Sequence, residues 1–367
     1  MKIILCGGGT AGHINPAIAV AEEIKQQNPT AEILFIGRDG GKENDLVTKA
    51  GFPIKTLKLQ GLRRSLSPDN FKSILYAIKA RSEAKKIIKH FSPDIIIGTG
   101  GYVCWPVITA GKSLGIPVAI HESNVSPGLT TKLLSSKADI VLLNHTETKI
   151  FLSKKIKTKV VGNPLRSDFK KIDRDQARSK LGLRKGEILI TSFGGSIGAR
   201  KLNEVIIEVM KSYSSKENGV RHIHSMGTRY YSEEIIGYKN CRILPYIDNM
   251  PEVLLASDIV ICRSGAITLS ELSEVGVASI LIPSPNVSDN HQYKNAKYLL
   301  DNGAAMLIEE KNLTAASLVV NIKELKNDEN ARKKRAKKIK SFSTPSAAKD
   351  IVKELFLLKN SNKKTVF

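Results

Sequence analysis

A chain of 367 residues is too long for one comfortable hydrophobic core, so two domains of ordinary size are expected. Its 57 Lys and Arg against 35 Asp and Glu leave a formal charge of +22, which suits an anionic partner: a phosphorylated substrate, an anionic membrane surface or nucleic acid. Nucleic acid ranks last, because no helix-turn-helix spacing or RNP-type aromatic strand accompanies the charge, and the scattered Cys6, Cys104, Cys241 and Cys262, without CxxC spacing, read as reduced core thiols of a cytoplasmic protein with no structural zinc.

No run approaches the length of a transmembrane helix, and the opening apolar segment is too short for a signal peptide. Residues 2–6 read as a strand that runs into Gly7-Gly8-Gly9-Thr10-Ala11-Gly12-His13. Residues 13–27 follow with the helical spacing Ile14, Ala17, Ile18, Ala21, Ile24. A second strand spans 32–36. This first turn also satisfies GxGxxG, and Arg38 after the second strand fits an NADP 2′-phosphate, so a dehydrogenase is a rival reading.

A strand over 54–59 precedes a helix opened by Ser67-Pro68-Asp69 and running to about residue 91. Its apolar stripe is Phe71, Ile74, Leu75 and Ile78, collared by Arg63, Arg64, Lys72, Lys79, Arg81, Lys85, Lys86 and Lys89 with only Asp69 and Glu83 opposing. Such a pattern suits a helix resting on anionic lipid, and equally a core helix with a solvated lysine face. Residues 94–98 form a strand ending in a second glycine turn, Gly98-Thr99-Gly100-Gly101-Tyr102, and a helix over 104–114 follows. The strand 117–121 delivers His121-Glu122-Ser123-Asn124 to its carboxyl end, where parallel sheets bind ligands. Strands over 139–143 and 159–161 finish the first sheet, and Gly162-Asn163-Pro164-Leu165-Arg166 reads as a hinge.

The second half repeats the alternation, with strands near 188–193, 221–226, 242–244, 258–262, 279–283 and 305–308, so a second doubly wound parallel sheet is expected. A third turn, Gly194-Gly195-Ser196-Ile197-Gly198-Ala199, sits between a strand and the amphipathic segment 202–210; free amides and a helix dipole meet there, which is how phosphate is bound. Three such turns, split between two halves, suggest nucleotide-fold domains facing across a cleft, which a lone dehydrogenase domain does not explain. His222 and His224 alternate on one strand without partners at metal-ligand spacing, and so read as ordinary strand residues. A basic helix over 330–340 and a final apolar helix over 346–358 precede a tail, 359–367, expected to fray.

Arg263-Ser264-Gly265-Ala266-Ile267-Thr268 is again a turn into a helix, with Glu271 one turn in, where an acid can accept both hydroxyls of a ribose. Ser288-Asp289-Asn290-His291-Gln292-Tyr293 then places polar side chains at another helix start, suited to sugar hydroxyls. This set resembles the GT-B glycosyltransferases that use UDP-sugars. Taken with the glycine turns, His121-Glu122-Ser123-Asn124 and Gly162-Asn163-Pro164-Leu165-Arg166, it is similar from residue 2 to about 358 to the MurG family, the UDP-N-acetylglucosamine transferases that complete lipid II.

The resemblance implies an α/β GT-B fold, with residues 1–163 plus 342–367 as an acceptor and membrane-associating domain and 164–341 as a UDP-sugar domain. It implies inverting transfer of N-acetylglucosamine from UDP to the 4-hydroxyl of lipid I, at the cytoplasmic face of the membrane, with no cofactor and no metal. Other cell-wall synthesis and division proteins are implied as partners. The donor contacts it implies are Thr10, Ala11, Gly12, His13, Asn124, Arg166, Ser196, Ile247, Ala266, Ile267, Thr268, Glu271, His291 and Gln292. A pair of glutamines is expected where His291-Gln292 stands. Acceptor contacts fall on Thr10, Gly100, Gly101, Tyr102, His121 and Glu122. For the base, His13 is the first choice because a helix start favours the neutral ring, with Glu122 and His121 as alternatives. A diacylglycerol glucosyltransferase and a UDP-N-acetylglucosamine 2-epimerase share the fold and remain open.

Overall fold

The computed structural model describes the chain except residues 61–68, 167–168, 170–172, 234–236 and 364–367, together with the side chains of 69–74 and 362–363. Its contacts divide into two compact units, Met1–Arg166 with Thr344–Phe367 and Ser167–Ser343.

In the first unit the strands are β1 (Lys2–Cys6), β2 (Glu32–Arg38), β3 (Ile54–Leu57), β4 (Ile95–Gly98), β5 (Val118–Glu122), β6 (Ile140–Leu143) and β7 (Thr158–Val160). They make one parallel sheet in the order β3-β2-β1-β4-β5-β6-β7. Unbroken apolar runs such as Ile95-Ile96-Ile97 are what a parallel sheet covered on both faces requires. The covering helices are α1 (Ala11–Gln27), α2 (Lys42–Lys49), α3 (Asp69–Phe91), α4 (Cys104–Ser113) and α5 (Leu129–Leu134). One core layer holds Ile3, Leu5, Ile14, Ile18 and Ile97; the other holds Ile4, Ile96, Ala80, Ala84, Ile88 and Val107.

The second unit carries β8 (Ile188–Phe193), β9 (Val220–Ser225), β10 (Cys241–Leu244), β11 (Ile259–Cys262), β12 (Ala278–Leu281) and β13 (Met306–Leu307), parallel in the order β10-β9-β8-β11-β12-β13. Around it lie α6 (Arg174–Lys180), α7 (Arg200–Val209), α8 (Met250–Ala256), α9 (Ala266–Val275), α10 (His291–Asp301), α11 (Ala315–Asn327) and α12 (Glu329–Lys340). The last helix, α13 (Ala347–Lys363), returns to the first unit, where Ile351, Val352 and Leu355 are fully buried beside α1. Residues 359–363, expected to fray, are the helical end of α13.

Helix α3 carries its core-facing and its exposed apolar residues on separate stretches. Its core stripe is Ala80, Ala84 and Ile88, whereas Leu75, Tyr76 and Ile78 are exposed. Arg63, Arg64, Ser67 and Pro68, and the side chains of Asp69, Phe71, Lys72 and Ile74, lie outside the described residues.

Candidate active site

In each sheet the strand order reverses once, between β1 and β4 in the first unit and between β8 and β11 in the second. Loops leaving the carboxyl ends of those neighbours diverge to opposite faces and leave a crevice, the usual ligand position of open α/β sheets. Register makes the loops level: Cys6 pairs with Gly98, and Phe193 with Cys262. All three glycine turns and the turn at Arg263 therefore fall at switch points.

In the first unit the turns Gly7–His13 and Thr99–Tyr102 interlock. The Gly8 N–H donates to the Gly100 carbonyl (3.2 Å), and the Thr99 hydroxyl donates to the His13 carbonyl (2.6 Å). Gly100 (φ +116°) and Gly101 (φ +84°) take conformations that L side chains resist. Space forbids them as well, since a Cβ on Gly100 would stand 2.5 Å from His13 Cδ2 and one on Gly101 2.3 Å from the Gly8 oxygen. The imidazole of His13 thus lies against the Gly100 backbone. Its Nδ1 is 3.1 Å from the Gly8 carbonyl oxygen and 3.4 Å from Thr10 Oγ1. A carbonyl only accepts, so Nδ1 carries the proton and Nε2 is the basic nitrogen of the neutral ring.

The other two candidate bases are placed differently. His121 is 1% exposed, donates from Nε2 to the Gly162 carbonyl (2.9 Å), and is held below the usual imidazole range chiefly by burial. Glu122 is 5% exposed and has both carboxylate oxygens engaged. Oε1 accepts from the Asn124 backbone and side chain (each 2.9 Å), and Oε2 accepts from the Gly128 N–H (2.9 Å). Both residues shape the backbone around Gly162 and residues 124–128; of the three, His13 alone stands beside the glycine turns and partly open to solvent. Tyr102 is half-buried, and burial pushes its hydroxyl above the usual phenol range. Arg166 is the last residue of the first unit.

In the second unit the turn after β8 packs on the end of β9. Gly198 (φ +88°) is so close that a Cβ there would lie 1.9 Å from the Met226 oxygen, and Asn203 Nδ2 donates to that same oxygen (2.8 Å). Helix α7 starts at Arg200 and α9 at Ala266, each preceded by a residue that supplies no side-chain cap, Ala199 and Gly265. Their first-turn amides and dipoles are arranged as an anion site. Ser196 lies in the glycine turn that precedes α7, and Ile267 and Thr268 in the first turn of α9; Glu271 is one turn into α9 and partly buried. Helix α10 starts after Asp289 and Asn290, both left-handed, and puts His291 and Gln292 in its first turn. Gln292 Oε1 accepts from the Ser284 N–H (2.9 Å) and the Gln292 carbonyl from Ser264 Oγ (2.9 Å), so α10 is tied to the turn that opens α9. His291 Nδ1 donates to the Ser288 carbonyl (2.7 Å). Ile247 is buried after β10.

Three contributions were not visible in the sequence: the anchoring by Glu43, the partners of Arg263 and the network around Ser192. Glu43 in α2 is fully buried and grips the first glycine turn through the Gly9 N–H (3.2 Å). Arg263 braces the turn that opens α9: it ion-pairs with Glu310 and donates to the carbonyls of Ile282 and Pro283. Ser192 joins His222 and His224 in a buried network on β8 and β9. Only an acid inside an amphipathic pattern could have pointed to Glu43. Among the described residues no group of three or more His, Cys, Asp or Glu side chains is placed to hold a metal ion.

Two parallel nucleotide folds with glycine turns at both switch points define a GT-B glycosyltransferase architecture. The glycosyltransferase family 28 N-terminal domain matches residues 3–143 and the C-terminal domain of the same family residues 189–353, so the chain belongs to glycosyltransferase family 28. It is 42% identical over 363 residues, 97% of this chain and 98% of the relative, to the UDP-N-acetylglucosamine–N-acetylmuramyl-(pentapeptide) pyrophosphoryl-undecaprenol N-acetylglucosamine transferase of Acetivibrio thermocellus. Among solved structures it is similar to MurG of Acinetobacter baumannii, at 27% identity and a TM-score of 0.74 over 96% of this chain and 98% of the other. The UDP-GlcNAc 2-epimerase of Neisseria meningitidis shares the fold, with a TM-score of 0.67 over 97% and 100% of the two chains at 14% identity.

Proposed function

We infer that this protein transfers N-acetylglucosamine from UDP-N-acetylglucosamine to the muramoyl-pentapeptide diphospho-undecaprenol acceptor, forming lipid II for peptidoglycan synthesis. Full-length similarity to transferases of that name supports this reading. The single structural observation that carries the chemistry is the His13 imidazole, held on the glycine turns with Nδ1 on the Gly8 carbonyl.

The reaction inverts the anomeric centre. His13 Nε2 takes the proton of the acceptor 4-hydroxyl as its oxygen bonds to the anomeric carbon, while the bond to UDP breaks and its electron pair leaves with the diphosphate. Charge develops on that diphosphate in an oxocarbenium-like transition state. The starts of α7 and α9, with Ser196, Ala266, Ile267 and Thr268, stabilise it by preorganised amides and dipoles. Glu271 accepts the ribose hydroxyls, Arg166 and the Ile247 backbone hold uracil, and Asn124, His291 and Gln292 read the sugar. Thr10, Gly100, Gly101 and Tyr102 shape the acceptor diphosphate position, and Thr10, Ala11 and Gly12 also contact the donor. His121 and Glu122 serve by fixing the surrounding backbone.

The acceptor is lipid-linked, and among the described residues no helix is long and apolar enough to cross a membrane. The reading therefore brings the first unit to the cytoplasmic surface of an anionic membrane through α3. Exposed Leu75, Tyr76 and Ile78 supply the apolar contact, and a cavity of about 480 Å3 beside Ile78 and Trp105 is lined by Arg81, Lys112 and Lys137.

The test is incorporation of labelled N-acetylglucosamine from its UDP donor into a lipid-extractable product, with and without a lipid I analogue. Label in the lipid fraction only with the analogue is the expected result; incorporation into diacylglycerol instead assigns the enzyme to another lipid acceptor.

A further inference from the structure

Glu43 is an expensive residue to place where it stands. It is fully buried in the first turn of α2, and a carboxylate taken out of water is strongly destabilising unless donors replace the lost hydration. Both of its oxygens are spent on main-chain amides: Oε1 accepts from the Arg38 N–H (2.8 Å) and Oε2 from the Gly9 N–H (3.2 Å). The neighbouring backbone makes room for it, since a Cβ on Gly8 or on Gly41 would lie 2.5 Å from its carboxylate oxygens.

The Gly9 N–H and the Gly8 carbonyl belong to one peptide group. On one side of that planar unit the N–H donates to Glu43; on the other the carbonyl accepts from His13 Nδ1 at 3.1 Å. A carboxylate on the N–H polarises the amide and makes its oxygen a stronger acceptor, because hydrogen bonds in series reinforce one another. We propose that Glu43 is a positioning residue for His13, acting through the Gly8–Gly9 peptide to fix the tautomer and direction of the imidazole. Its role parallels that of the aspartate behind the histidine of a Ser-His-Asp triad, with a peptide group interposed. As Nε2 takes the acceptor proton, the developing imidazolium strengthens the Nδ1–H to carbonyl bond. The buried carboxylate behind that peptide then stabilises the positive ring.

This inference rests on His13 being the base, and a double-mutant cycle separates the two ideas. Glu43→Gln keeps the shape, removes the charge, and leaves one of the two amides facing an NH2 group. It is expected to lower kcat about tenfold, with the KM for UDP-N-acetylglucosamine and the Kd for UDP within about twofold of wild type. In a His13→Ala background the same substitution is expected to change kcat by less than about twofold, because the groups act as a unit. A merely structural Glu43 lowers kcat equally in both backgrounds, and that result overturns the proposal, as does a Glu43→Gln enzyme with wild-type kcat. A fully active His13→Ala enzyme overturns the base assignment and this inference together; a loss at His13→Ala beside an unaffected Glu43→Gln overturns this inference alone. Unfolding temperatures control for folding, and if Glu43→Gln does not fold the cycle is run with Glu43→Asp, whose shorter arm cannot reach both amides.

Discussion

Lys359, near the end of the chain, donates to Asp94, the residue before β4, across 265 positions of sequence (2.9 Å). Asp94 also accepts from the Lys2 N–H (2.8 Å), so one carboxylate joins the first strand to the last helix. Its pKa is lowered: partial burial acts to raise it, and the Lys2 amide and Lys359 together outweigh that. A depressed carboxylate contributes stability that is present above its unfolded pKa of 3.8 and is lost as pH falls through the lower folded value. The pair is partly exposed, so Lys359→Ala is expected to cost no more than about 1 kcal/mol. Leu355→Ala empties a fully buried site and is expected to cost about 2–5 kcal/mol. Urea titrations of the two variants at pH 7 compare them directly.

The buried histidines of the second unit make it acid-sensitive. Ser192 Oγ lies 2.8 Å from His222 Nε2 and 2.9 Å from His224 Nδ1, and Ser214 Oγ lies 3.0 Å from His222 Nδ1. Burial pushes His222 down to about 3 and His224 to about 4 from 6.5. Above pH 6.5 both rings are neutral folded or unfolded. Below it the unfolded chain binds protons that the folded one refuses, so stability falls as pH drops from 6.5 toward 4, by up to ~1.4 kcal/mol per pH unit for each histidine. Denaturant midpoints between pH 7 and 4.5 measure this slope, and His224→Gln is expected to flatten it.

Two glycines of the third turn separate strain from crowding. A Cβ on Gly195 (φ +93°) would meet nothing within 4 Å, whereas one on Gly198 would meet the Met226 oxygen at 1.9 Å. Gly195→Ala is expected to cost about 1–2 kcal/mol of backbone strain. Gly198→Ala must displace the turn itself and is expected to abolish measurable UDP binding. Glu271→Ala, which leaves the turn intact, is expected to weaken UDP by about 1.5–3 kcal/mol for a lost hydrogen bond to a charged group. Isothermal titration with UDP ranks the three.

Membrane association through α3 is expected to be reversible and salt-dependent, each basic residue near an anionic surface being worth about 1 kcal/mol. Co-sedimentation with anionic vesicles should fall for Lys79→Glu/Lys86→Glu. Ile78→Glu, at a position 57% exposed, should remove the part that survives high salt. Undiminished sedimentation of all variants places the membrane face elsewhere.

Much of this was legible in the chain. Alternating apolar runs and helical periods defined both parallel sheets, because a strand covered on two faces has no polar alternative. The glycine turns were legible because positive φ and close backbone approach restrict the residue type. Side-chain partnerships across sequence were not. Nothing local distinguishes Glu43 from a solvated helix acid, or Arg263 from a phosphate ligand, since the groups that engage them come from other elements. His121 and Glu122 are candidate bases by sequence because they close a strand; that same position buries them under the residue 124–128 loop and Gly162. The reach of α13 to Lys363 was hidden by its lysine- and asparagine-rich end, which the Asp94 contact ties to the first unit.

Transfer to a lipid-linked acceptor is read most directly from the rate of UDP release from UDP-N-acetylglucosamine as a lipid I analogue is titrated in, with the sugar product identified. UDP release is expected to saturate with the analogue, to be matched mole for mole by a disaccharide whose new linkage is inverted, and to be lost in His13→Ala with UDP affinity retained. UDP release that ignores the analogue, with free N-acetylmannosamine as the sugar product, would contradict it.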